Sequence, residues 1–373
     1  MSRTENQMPL PKGSYILITL ITAYLMFFSV VTNEITAFIA IALVVAFFSL
    51  FLRSRLLSLA VGVPAVLGFL SSSSFTQTAS IVAAICIIGM GAVALLHVNK
   101  LLVGVCFAAA YGCSLLFTKN PLTSATMLLF ALCAILLAIS LAKKMRRTSA
   151  ICLVAAGLLI GYTILFLVGL YRLTGEISME AFSSLISQFH ALFLEAFKES
   201  ALLFDQNLRA VMTEEAFNAA FDAVLCALPA GFIMLVSALA FLAHLLSFIL
   251  CSASGYMEKI PEESRPFVLS PVTAILYTAS LLLTLIAPFI GGNSQILLLT
   301  AQNMTLILMP PLLLVGWFGI YGFLAQNKGC LNAWVIIGIV LLIVYSRGLL
   351  LYPLSLVGVY LTFRVNRRPP FQK

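Results

Sequence analysis

The chain has 373 residues, of which 62% are apolar and 9% charged, against roughly 45–50% and about 25% in soluble domains. A water-soluble fold is excluded. The net charge of +8 would raise the question of nucleic acid in a soluble protein. Here the lysines and arginines stand in short clusters between apolar runs, where they act as orientation signals, and no nucleic-acid partner is implied.

Charge-free windows then define the elements in order. Arg3 and Lys12 precede an apolar run from Tyr15 to Val31, which has no small-residue cleavage site after a short core and reads as a retained first span, about 14–32. A second span follows at 35–52, ended by Arg53 and Arg55. The third, 56–72, carries Pro64, and the fourth covers 78–97. Lys100 opens a fifth, 101–117, and Asn120 with Pro121 opens a sixth that stops at Lys143, Lys144, Arg146 and Arg147. The seventh is 149–171. Beyond a polar stretch lie an eighth, 223–250, and a ninth opened by Ser270 and Pro271 and closed by Gly291 and Gly292. Windows at 303–324, 331–346 and 348–363 complete the series.

The expected class is therefore all-α, a polytopic transmembrane helix bundle of about 12 spans, since twelve spans of ~20 residues use ~240 residues. It divides into an amino-terminal membrane bundle (1–171), an extracytoplasmic amphipathic helical segment (172–222), and a carboxy-terminal membrane bundle with a basic tail (223–373). With the amino terminus in the cytoplasm, sixteen of the 21 lysines and arginines fall on the inner side, and only Lys119, Arg172, Lys198, Arg209 and Arg347 fall outside. The positive-inside rule favours that orientation, with both termini cytoplasmic.

Residues 173–222 carry eight acids against Lys198 and Arg209, a net of −6. Phe182, Ile186, Phe189, Phe193 and Phe197 recur at steps of four, three, four and four, the spacing of an amphipathic helix. A helix is expected over about 179–204, capped by Ser178, then a break at Asp205–Asn207. A second helix, capped by Thr213, runs from 214 into the eighth span and bends at Pro229. Its bland role is to rest on the outer leaflet or on the protein; its functional role would be a lid or docking platform.

Inside the spans the informative result is an absence. No Asp, Glu, Lys or Arg lies well within the first ten windows, and residues 266–327 hold no charge, so carboxylate proton relays, voltage sensors and zincin sites are not available. The eight cysteines lie in or beside apolar runs and read as packing residues rather than a disulfide framework or zinc site. No metal or other cofactor is expected, and an enzyme is the weaker class. The residues that break the pattern are the candidates for ligand contact or gating. They are His244 in the eighth span, more often a packing histidine than a ligand, and Pro310 and Pro311, which interrupt the tenth. Arg347 with Tyr345, near the middle of the last apolar stretch, completes the set: either an interface anchor that snorkels to lipid phosphate or a guanidinium closing a cavity for an anionic ligand.

The stretch NMTLILMPPLLLVGWFGIYGFLAQNK from Asn303 to Lys328, followed by two apolar spans and GVYLTFR from Gly358 to Arg364, resembles the carboxy-terminal part of the YybS-like family of bacterial membrane proteins. The likeness covers about 20–365 in layout and this last part in sequence. It implies a bacterial inner-membrane protein of many spans and unassigned activity, similar in layout to substrate-capturing components of vitamin transporters. Two classes remain. One is a small-molecule transport or substrate-binding membrane component, favoured by the helix breakers; the other is a scaffold that assembles with other membrane proteins and binds only the lipid bilayer and those partners. The orientation is checked by labelling intact cells with an impermeant thiol reagent: a cysteine replacing Ser187 is expected to react, and one replacing Ser2 is not.

Overall fold

The computed structural model describes residues 12–28, 34–50, 75–119, 121–201, 213–253, 269–289, 294–326 and 351–366. Every element among them is helical: α1 Lys12–Phe28, α2 Glu34–Leu50, α3 Phe75–His97, α4 Lys100–Thr118, α5 Pro121–Ala142, α6 Arg147–Thr174, α7 Met179–Ala201, α8 Glu214–Ala253, α9 Pro271–Ile286 with a 3-10 turn Ala287–Phe289, α10 Ser294–Gln326 and α11 Leu351–Asn366. Helices are what hydrocarbon demands, because each satisfies its backbone groups within itself.

Six of these helices, at Ala79–His97, Lys100–Thr118, Ser124–Ala142, Arg147–Thr174, Glu214–Ser252 and Gln295–Trp317, are long and apolar enough to cross a membrane. The expected figure of about 12 spans is not reached among the described residues. Helices of 16 or 17 residues such as α1, α2, α9 and α11 reach only ~24–26 Å, short of the ~30 Å hydrocarbon thickness. The third and eleventh expected spans, Asn120 and the break at Asp205–Asn207 lie outside the described residues. The tenth begins nine residues early, at Ser294 rather than 303, because Gln295, Thr300 and Gln302 interrupt the apolar window without interrupting the helix.

Local chemistry sets the ends. Ser178 Oγ accepts from Ala181 N (3.0 Å), Thr213 Oγ1 from Ala216 N (3.2 Å) and Ser270 Oγ from Val272 N (3.3 Å), all as expected. Asn99 caps α4 in the same way, and Gly175, at φ +82°, closes α6 in the left-handed conformation that glycine adopts without cost.

By packing the chain falls into two compact units, Met1–Phe182 with Val236–Glu263, and Ser183–Leu235 with Ser264–Lys373. In the first, α3 touches α1, α2, α4 and α5 and is buried through Ala83, Ala84, Ile87, Ile88, Ala92 and Val93. A Cβ on Gly89 would lie 2.9 Å from Ala243 O of α8, so glycine is what lets those two backbones meet. Gly157 and Gly161, four residues apart on α6, make a small-residue contact against Leu136 and Leu129 of α5. On α4, Ala108 and Ala109 are exposed and Ala110 is buried.

In the second unit α10 is central, touching α9 and α11. Tyr277, Met309 and Leu312 form its buried core. Gly316 and Gly358 face each other's helices so closely that a Cβ on Gly358 would run into Leu312 O and one on Gly316 into Leu354 O. Here α7 docks on the start of α8, through His190 and Phe197 against Phe217 and Phe221. The predicted apolar face of α7 is thereby split. Phe182, Ile186 and Phe197 are half-buried, but Phe189 and Phe193 are 48% and 57% exposed. The hydrogen bond of His190 Nε2 with Asn218 Oδ1 (2.9 Å) draws the side bearing His190, Leu194 and Phe197 inward instead.

Replacing Gly358 by Val forces a side chain against a backbone that cannot yield, at a cost of about 3 kcal/mol. Thermal unfolding in detergent is expected to show a lower midpoint. Gly104→Ala, where nothing lies within 4 Å of the added carbon, is expected to leave the midpoint unchanged or raise it slightly.

Candidate functional site

Polar side chains are scarce in the described helices. In the second unit two sets of buried polar atoms link one helix to another. The first joins α9, α10 and α11. Tyr277 OH hydrogen-bonds Ser355 Oγ, which donates to Tyr352 O (2.7 Å); Thr305 Oγ1 donates to Ser280 Oγ (3.0 Å), which donates to Tyr277 O (2.8 Å). Both chains of hydroxyls end on a backbone carbonyl three residues back. Their donors are spent, and the set ties three helices together.

The second set lies where α8 and α10 meet, and it is not closed. Asn303 Nδ2 donates to Cys226 O on α8 and to Leu299 O on its own helix, each at 3.0 Å. Both amide hydrogens are thus committed, which fixes the carboxamide orientation, because the flipped amide would set its oxygen against two carbonyls. Asn303 Oδ1 is buried and has no hydrogen-bond partner. Such an acceptor costs about 1–3 kcal/mol until a donor reaches it.

The surrounding backbone has the same bias. Pro229 lies three residues past Cys226 inside α8 and has no N–H for Leu225 O. Pro310 and Pro311, inside α10, likewise leave Leu306 O and Ile307 O without their i+4 donors. Each of these features adds an acceptor and none adds a donor.

The sequence candidates separate accordingly. Pro310 and Pro311 lie in α10, half-buried, seven and eight residues beyond Asn303, and α10 continues through them as one helix. His244 belongs to the first unit, 6% exposed, one turn from Ser247, whose hydroxyl donates to Gly89 O (3.0 Å) and Ala243 O (2.9 Å). At the next residue, the Arg147 guanidinium sits 4.0 Å over the Phe248 ring. His244 is thus part of a tight helix contact within the first unit, and Pro310 and Pro311 belong to the second. Arg347 and Tyr345 lie outside the described residues. Asn303 was passed over because a lone asparagine at the edge of an apolar window looks like a helix start. Its distance from a charge, seven residues before a proline pair, was the available signal.

None of the seven described cysteines is in a disulfide, and among the described residues no group of three His, Cys, Asp or Glu side chains could hold a metal.

Long apolar helices, glycine contacts and buried hydroxyl ties define a helical membrane protein that sits in a lipid bilayer. The chain belongs to the family described as predicted membrane protein DUF2232, whose model matches residues 98–360. That agrees with the resemblance to an uncharacterised membrane family; the match carries that family and not the YybS-like name. No curated protein and no solved structure matches the chain.

The hydroxyl ties are tested by Thr305→Val, which keeps the shape and removes the bond to Ser280. Interhelical hydrogen bonds in membranes average ~0.6 kcal/mol with a maximum near ~1.7, so a loss of about 1 kcal/mol in unfolding free energy is expected.

Proposed function

We propose that the protein is a multi-pass component of a cytoplasmic membrane that binds a small molecule at the junction of α8 and α10, as a transport or substrate-binding subunit without a charge relay. The observation that carries this reading is Asn303, which bridges two proline-interrupted helices and keeps a buried, unpaired Oδ1. Transporter sites at mid-depth are built where helix backbone loses its internal partners, and proline-bearing helices beside an unpaired buried acceptor have that character. Pro310 and Pro311 remove backbone donors within α10, which runs on through them as one helix; His244, and Arg347 with Tyr345, are the remaining polar candidates, the last two for an anionic group. The basic clusters orient both termini to the cytoplasm.

The test is mass spectrometry of small molecules retained by the purified full-length protein. A defined compound is expected with the parent, and at least tenfold less of it with Asn303→Val. Retention of lipid alone, with a stoichiometric protein partner in its place, overturns the proposal in favour of a scaffold.

A further inference from the structure

Helix α7 presents an edge that no described residue covers: Phe189 is 48%, Leu192 62% and Phe193 57% exposed, with the two phenylalanine rings stacked at 6.4 Å. Helix lengths fix what meets that edge. The charge cluster Lys143, Lys144, Arg146 and Arg147 stands at one face of the membrane, so hydrocarbon begins just past Arg147. Phe166 is nineteen residues further along α6, ~28 Å at 1.5 Å per residue, which is the far edge of a ~30 Å core. Phe182, in the first turn of α7, lies against Phe166 with ring centroids 6.0 Å apart. The start of α7 is therefore level with the end of the hydrocarbon.

The length of α7 itself limits the rest: Phe189 is seven residues past Phe182 on the same helix, ~10 Å along its axis. The middle of α7 is thus within about 10 Å of the hydrocarbon edge, in the ~5–8 Å headgroup layer or at its rim. At that depth the surrounding medium is lipid.

We propose that Phe189, Leu192 and Phe193 insert into the headgroup–acyl boundary of the outer leaflet, making α7 an interfacial helix, and that the lipid it accepts is zwitterionic or uncharged. The lipid class follows from the border of that edge, where Glu195 and Glu199, one and two turns on from Leu192, outnumber Lys198, itself paired with Glu214 at 3.0 Å. Interfacial helices that favour anionic lipid carry lysine and arginine there. The same charge opposes pairing with a second copy of α7, since like charges would meet.

The experiment uses full-length protein with Trp317 and Trp334 replaced by phenylalanine, leaving one reporter, Phe193→Trp, in phosphatidylcholine vesicles containing shallow bromolipid. The tryptophan is expected to emit at shorter wavelength, to be quenched at least twofold more by bromolipid than a Glu195→Trp reporter, and to be at least twofold less accessible to aqueous acrylamide. Raising phosphatidylglycerol to half of the lipid is expected to reduce the bromolipid quenching. Leu192→Trp serves if the first reporter does not fold. Equal quenching of the two reporters, or a disulfide between Phe193→Cys copies forming in place of lipid contact, overturns the proposal. Insensitivity to phosphatidylglycerol overturns the lipid preference.

Discussion

Helices immersed in hydrocarbon gain nothing by burying leucine against leucine, because the lipid chain is an equally good neighbour. What holds them is contact close enough for dispersion to add up and for backbone atoms to touch. The structure depends on the few places where glycine permits that: Gly89 beside Ala243 O, Gly157 and Gly161 beside α5, and Gly316 and Gly358 between α10 and α11. Large exposed side chains on α4 and α6, such as Leu101, Leu116, Ile160 and Ile164, are the other half of the same physics, since they turn toward lipid at no cost.

Hydrogen bonds add specificity to that packing. Ser247 fastens α8 to α3 through Gly89 O at the point where the glycine has brought the helices together, and the Tyr277, Ser355, Ser280 and Thr305 hydroxyls fasten α9, α10 and α11 around one core. Close approach comes first, and short side chains then reach the neighbouring helix. The Asn303 bridge differs from these ties in leaving an acceptor unused. In a region without charge, that unused acceptor is the feature on which the binding proposal rests.

The polar module has its own logic. His190 and Asn218 form a pair of hydrogen-bonding groups framed by Phe217 and Phe221, and this decides which side of α7 turns inward. An apolar stripe is left outside as a consequence. The proline-bearing helix α8 carries this packing at its start and the Ser247 tie near its end, so one helix serves two compact units.

The sequence by itself determined what depends on neighbours along the chain. Composition excluded a soluble fold, charge-free windows placed most helices within a few residues, and Ser178, Thr213 and Ser270 marked three helix starts, because a cap bonds a backbone group only two or three residues away. It also carried enough pattern in its last third to point to an uncharacterised membrane family. Tertiary structure alone decided what depends on distant residues. No periodicity could tell that α7 would turn on His190 rather than on its phenylalanine stripe, because the deciding partner, Asn218, is 28 residues away. The length of α10 escaped a window of apolar residues because helices tolerate glutamine and threonine where neighbours or water receive them. Asn303 acquired its meaning only when Cys226, 77 residues earlier, was brought beside it, since an unpaired oxygen is a property of surroundings and not of a residue.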